Sequence, residues 1–115
     1  MVEQTFEVNE RRSRDGVPVI VVTGEIDVAT APALRECLQT TIDGGAARMV
    51  VDLLGVSFLD STALGVLIGA LKRCRELGGR LDLVLGEQRI VKVFEITGLT
   101  EVFTIFPTVD EALRA

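Results

Sequence analysis

Residues Val17 to Val22 read Val-Pro-Val-Ile-Val-Val, a run with no polar side chain at any position. Successive side chains of a strand point to opposite faces, so such a run is a strand covered on both sides. Strands of that kind belong to parallel sheets flanked by helices. Parallel neighbours cannot be joined by a tight turn. Each needs a crossover of a dozen residues or more, usually helical. The rest of the chain should therefore alternate helix with strand, and its periodicity does.

Upstream, Thr5 to Asn9 alternates, with Phe6 and Val8 on one face, and reads as a half-exposed edge strand. A turn at Arg11–Gly16 joins it to the Val17–Val22 strand as an antiparallel hairpin, and Gly24-Glu25-Ile26-Asp27 ends that strand. A helix over Ala31–Asp43 follows, with Thr30 as N-cap and Leu34, Cys37, Leu38 and Ile42 on one stripe. Met49–Leu54 is a strand, Gly55–Leu59 a loop and Ser61–Leu77 a helix that buries Leu64, Leu67, Ile68, Leu71 and Cys74. A strand over Leu81–Leu85, a helix over Glu87–Thr97 carrying Ile90, Val93 and Phe94, and a short strand over Val102–Phe106 come next. Thr108 and Glu111 form a capping box for a last helix. The order is ββαβαβαβα with right-handed crossovers, which makes an α/β fold with a small mixed sheet. A length of 115 residues, 48% of them hydrophobic, suits one domain spanning 1–115 around one core.

Several function classes are disfavoured. The net charge is −5, and an acidic surface repels phosphate backbones, so no nucleic-acid partner is expected. The basic cluster Arg11-Arg12-Ser13-Arg14 beside Asp15-Gly16 reads as an exposed turn. Histidine is absent, and with it the commonest general base and metal ligand. Cys37 and Cys74 are far apart among apolar neighbours and read as buried structural thiols. Met1-Val2-Glu3-Gln4 has neither the basic start nor the apolar stretch of a signal peptide. The longest apolar run, Ala63–Leu71, is far below the roughly 20 residues that span a bilayer. The expectation is a soluble, cytoplasmic chain with no membrane partner, no cofactor and no metal.

The carboxyl ends of parallel strands share one edge of the sheet, where α/β folds usually place their sites. The segments leaving those ends are Gly24–Asp27, Ser57–Ser61 and Gly86–Glu87, so Glu25, Asp27, Asp60, Ser61 and Glu87 are expected on one acidic rim. Ser61 has two readings. One is a first-turn residue beside a capping Asp60. The other is a phosphoacceptor, where modification adds about −1.5 to −2 charges at pH 7. Catalysis by Asp27, Asp60 and Ser61 is disfavoured, because a serine nucleophile needs a base and the chain has no histidine. Nor does the chain carry a GxxxxGK[ST] loop or a kinase-type glycine-rich loop, so ATP must come from a partner. Thr62 is either a second acceptor or a polar first-turn residue. Leu64, Val66 and Leu67 make the helix start apolar nearly all round, through full burial or through exposure to a partner. Gly65, Gly69, Ala63 and Ala70 are read as small residues that let the helix lie close to the sheet or to a neighbour.

The stretches "GEIDVATAPALRECL" and "MVVDLLGVSFLDSTALGVLIGALKR" resemble the STAS domain family, specifically the bacterial anti-sigma factor antagonists. The Asp-Ser-Thr-x-Leu-Gly segment is the more specific part, and the likeness runs from about Thr5 to Leu113. The resemblance implies that Ser61 is phosphorylated by an ATP-dependent anti-sigma factor that is also a serine kinase. It implies that the unmodified form binds that factor and frees a sigma factor, while the phosphorylated form does not. A metal-dependent serine phosphatase then restores it. By the same resemblance Asp27 and Asp60 lie at the kinase-facing surface, and with Glu25 from the rim, Thr62 and Leu64 they are the expected partner-binding residues around Ser61. Many relatives have Ser and Gly where this chain has Thr62 and Ala63. STAS modules also serve as ligand sensors, stress-signalling scaffolds and tails of anion transporters, and a ligand-sensing or scaffold module is the alternative.

Overall fold

The computed structural model describes residues 5–115; Met1–Gln4, read above as lacking a signal sequence, lie outside the described residues. Five strands form one sheet in the order β1-β2-β3-β4-β5. They are β1 (Glu7–Arg12), β2 (Pro18–Ile26), β3 (Arg48–Leu59), β4 (Arg80–Val84) and β5 (Thr104–Phe106). β1 is antiparallel to β2, and every other neighbouring pair is parallel. The helices are α1 (Ala31–Asp43), α2 (Ser61–Glu76), α3 (Gln88–Ile96) and α4 (Val109–Arg114), with a 3-10 turn over Leu99–Glu101 between α3 and β5. This is the ββαβαβαβα order read from the periodicity.

The Val17–Val22 run behaves as its composition requires. Ile20 and Val22 join Met49, Val51, Leu81 and Leu83 in the main core, where α1, α2 and α3 supply Leu34, Leu38, Leu67, Leu71 and Phe94. Val19, Val50 and Val84 face the other way, onto Ala112 of α4. That second layer is thin, and one arginine secures it. Arg48 Nη2 reaches the carbonyls of Ala112 at 2.8 Å, Leu113 at 3.2 Å and Ala115 at 3.2 Å, satisfying acceptors that a helix end leaves open. On the same face Asp82, only 2% exposed, lies 2.9 Å from the half-exposed Arg80 guanidinium. The alignment is not that of a hydrogen bond, so the contact is ionic.

β1 and β3 differ from their expected bounds. β1 lies further along than expected, and Arg11 and Arg12, assigned above to a turn, pair with Val19 and Pro18. Only the tip closes the hairpin, through the Gly16 N–H to the Ser13 carbonyl at 2.9 Å and the Val17 N–H to Ser13 Oγ at 3.0 Å. β2 and β3 both run on to Ile26 and Leu59, so Gly55–Leu59 is strand and not loop. Register shifts between Val21 and Thr23 and between Gly24 and Glu25 make this possible. Such bulges break the alternation, leaving Leu54 and Gly55 both exposed between buried Leu53 and Val56. Gly24 sits at one of them with φ 90°, and a Cβ there would lie 2.6 Å from the Thr5 carbonyl oxygen.

Small residues along α2 divide into two groups. Ala63 is fully buried and Ala70 is 8% exposed, so they do allow close packing. Gly65 and Gly69 do not. Both are exposed, and a Cβ at either would meet nothing within 4 Å. Cys74 is buried as expected, whereas Cys37, Ile68 and Val93 are only partly so.

Candidate functional site

A single residue, Asp60, separates β3 from α2. Its N–H donates to the Ile26 carbonyl at 3.2 Å, which ties the junction to the end of β2. Its carboxylate Oδ1 accepts from the Ala63 N–H at 3.0 Å and its carbonyl from the Leu64 N–H at 3.1 Å. Asp60 is thus the N-cap of α2, in extended backbone conformation. Ser61 follows as the first helical residue. With Ala63, Leu64, Val66 and Leu67 turned to the core, the helical period leaves Ser61, Thr62, Gly65 and Gly69 on the outer face. Ser61 is exposed, and among the described residues its hydroxyl makes no hydrogen bond.

The neighbouring segment, between β2 and α1, is equally fixed. Asp27 Oδ1 accepts from the Ala29 N–H at 2.9 Å and the Thr30 N–H at 3.1 Å. Thr30 stands at the N-cap position, but its hydroxyl turns back instead of capping α1. It accepts from the Asp27 N–H at 2.9 Å and donates to the Glu25 carbonyl at 2.9 Å. The first α1 donor goes to backbone, from the Ala31 N–H to the Asp27 carbonyl at 2.8 Å. The expected side-chain cap by Thr30 is therefore replaced by an Asp27-centred turn.

Pairing of Ile26 with Leu59 sets Asp27 and Asp60 at adjacent strand ends, with exposed Glu25 one step back opposite Phe58. Glu25, Asp27, Asp60, Ser61 and Thr62 do come together. Glu87 does not join them. β4 stops at Val84, opposite Asp52, and a Cβ on Gly86 would touch the Leu54 side chain. Leu54 precedes Leu59 by five residues, about 16 Å along a strand. There Glu87 caps α3, its Oε2 accepting from the N–H of Arg89 at 2.9 Å and of Ile90 at 3.2 Å. Leu64 is also corrected. It is 9% exposed and packs in the main core, so full burial accounts for the apolar start of α2 and Leu64 offers a partner almost no surface.

Sequence reasoning missed two exposed apolar side chains beside this junction. Val28 is 71% exposed and Phe58 47%. Val28 lines a groove of about 470 Å³ between α1 and α2, together with Pro32, Arg35, Thr62 and Val66. Nothing in the sequence marks a lone loop valine as special, because single exposed apolar residues are common.

Chemically, the Ser61 hydroxyl is reachable and, among the described residues, no base is bonded to it to take its proton, so it is not an activated nucleophile. Among the described residues no group of three or more His, Cys, Asp or Glu side chains could hold a metal ion, and no helix is long and apolar enough to cross a membrane.

The comparisons agree with this architecture. Residues 10–112 match the STAS domain family. An anti-sigma-B factor antagonist of Bacillus subtilis (strain 168) is 42% identical over 84 residues, which cover 73% of this chain and 76% of that protein. An anti-sigma-B factor antagonist of Listeria monocytogenes is 38% identical over 101 residues, 88% of this chain and 87% of that protein. The crystal structure of an anti-sigma factor antagonist from Mycobacterium paratuberculosis superposes with a TM-score of 0.87 at 31% identity, covering 96% of this chain and 92% of that one. The chain belongs to the STAS domain family and, within it, to the anti-sigma factor antagonists.

Proposed function

We propose that phosphorylation of Ser61 switches this chain between a form that binds an anti-sigma factor and a form that does not. As a member of the antagonist family the chain is a regulatory binding protein and not an enzyme. The proposal adds the site and the mechanism. The observation that carries it is the exposed hydroxyl at the first position of α2, without a hydrogen bond among the described residues and held by Asp60 on a junction with no slack.

The energetics favour a binary outcome. A phosphate on Ser61 brings about −1.5 to −2 charges at pH 7. Asp60 already occupies the Ala63 N–H, so that donor is closed to the phosphate, and because Ser61 is exposed the phosphate faces the partner. Docking then has to dehydrate it, at an effective cost of several kcal/mol. Attraction to a cation at the rim returns only about 0–1 kcal/mol. Desolvation wins, and a net loss of about 4 kcal/mol weakens binding by roughly three powers of ten. ATP comes from the partner, a serine kinase that is itself the anti-sigma factor. A metal-dependent serine phosphatase reverses the mark, and the cycle runs in the cytoplasm.

Incubation with the cognate kinase and ATP should add one phosphate, located at Ser61 by mass spectrometry. Ser61→Ala should stay unmodified and keep binding, while Ser61→Asp should weaken binding less than phosphate does. Continued labelling of Ser61→Ala would remove the assignment. The α1–α2 groove favours a second reading, a ligand-sensing module. Stabilisation of the isolated chain by nucleotides or lipids in a thermal-shift series would support it.

A further inference from the structure

Val28 is 71% exposed, yet its backbone is not free. The Asp27 carboxylate holds the N–H of Ala29 and Thr30 on one side, and the Thr30 hydroxyl holds the Asp27 N–H and the Glu25 carbonyl on the other. The side chain is β-branched and stiff at χ1. An apolar group is thereby presented to water in one orientation, and docking against it orders little that is not already ordered. It lines the same groove as Thr62, the residue after Ser61.

The charge around the groove narrows the occupant. Among the groove-lining residues Glu36 and Arg35 balance each other, while Glu25, Asp27 and Asp60 at the adjacent ends of β2 and β3 make the rim beside it acidic. A second copy of this chain would bring the same acids face to face. The complementary surface is an apolar side chain flanked by a cation.

We infer that Val28 is the apolar anchor of the docking surface, receiving an apolar side chain of the anti-sigma factor against Pro32 and Val66, with a lysine or arginine of that partner facing the acidic rim. The inference rests on the reading of Ser61 as the switch of the same surface. It explains how one phosphate reaches the whole interface: a hydrated dianion beside Thr62 occupies the space that the apolar side chain must dehydrate.

The test titrates the anti-sigma factor that phosphorylates Ser61, loaded with ADP, against full-length wild type, Val28→Ala, Val28→Lys and Ile96→Ala. Ile96 is 75% exposed at the far end of α3 and serves as the control. Val28→Ala removes two methyl groups and should weaken binding about tenfold. Val28→Lys should weaken it further by placing like charge against the partner's cation. Ile96→Ala should bind as wild type, and melting temperatures of both Val28 variants should match wild type, since Val28 supports no core contact. Wild-type affinity in the Val28 variants, with Ser61 still modified, overturns the anchor and leaves the switch standing. An equal loss in Ile96→Ala overturns it as general stickiness. Failure of wild type both to bind and to be phosphorylated removes the switch and the anchor together.

Discussion

Gly65 and Gly69 offer a direct check on how α2 is built. Both lie inside a helix, neither has a positive φ, and a Cβ at either position would meet nothing within 4 Å. An interior glycine costs about 0.8–1 kcal/mol relative to alanine, from backbone freedom lost on folding. With no clash to offset that gain, Gly65→Ala combined with Gly69→Ala should stabilise the protein by about 1.5–2 kcal/mol. For 115 residues the unfolding entropy is about 240 cal/mol/K, so the midpoint should rise by about 6–8 °C. Calorimetry reads the shift, and urea unfolding should show a higher midpoint at unchanged slope. A lower melting temperature would mean that the backbone of α2 is approached closely after all, and the account of its outer face would be wrong.

Asp60→Ala should lose about 1 kcal/mol of stability through the missing cap on Ala63, read as a lower urea midpoint, while Asp60→Asn should lose little because its side-chain oxygen still accepts. Arg80→Met strands the buried Asp82 carboxylate and should cost about 3 kcal/mol in the same assay; Arg80→Met with Asp82→Val should recover most of it. Burial raises the Cys37 thiol above its ordinary ionisation range, with the Glu10 carboxylate adding to the shift, and burial alone raises Cys74. Raised folded values mean that the two thiols contribute stability fully below the unfolded thiol value of about 8.5, and that this contribution is lost as pH climbs through the folded values. Alkaline denaturation of Cys37→Ala should therefore lose part of that pH dependence. In native protein a thiol reagent should modify Cys37 before Cys74, which is buried.

Element order and the place of Ser61 at the exposed start of α2 were legible because they rest on patterns that the local backbone cannot alter. An all-apolar strand and a 3.6-residue stripe each have one reading. Bulges do not. The register shifts around Thr23 and Gly24 turn a seeming loop, Gly55–Leu59, into the end of β3. That extension in turn leaves Glu87 well short of the rim, since β4 stops opposite Asp52. Strand lengths must be known before residues can be set level across a sheet, and bulges hide them. Thr30 illustrates a second limit. Its type and place fit a cap, but the Asp27 carboxylate competes for the same donors and takes them. Val28 illustrates a third, because its importance lies in how rigidly it is held and not in what it is.

The one-residue step from Leu59 to Ser61 has a consequence for how chains of this kind can vary. Inserting a residue there would rotate the helix by about 100°, swinging Leu64 and Leu67 toward solvent and carrying Ser61 off its face. Substitutions can be absorbed at that point; a change in count cannot. Length differences among related chains should gather instead at the tip of the β1–β2 hairpin, around Arg14 and Asp15, where an extra loop disturbs nothing but water.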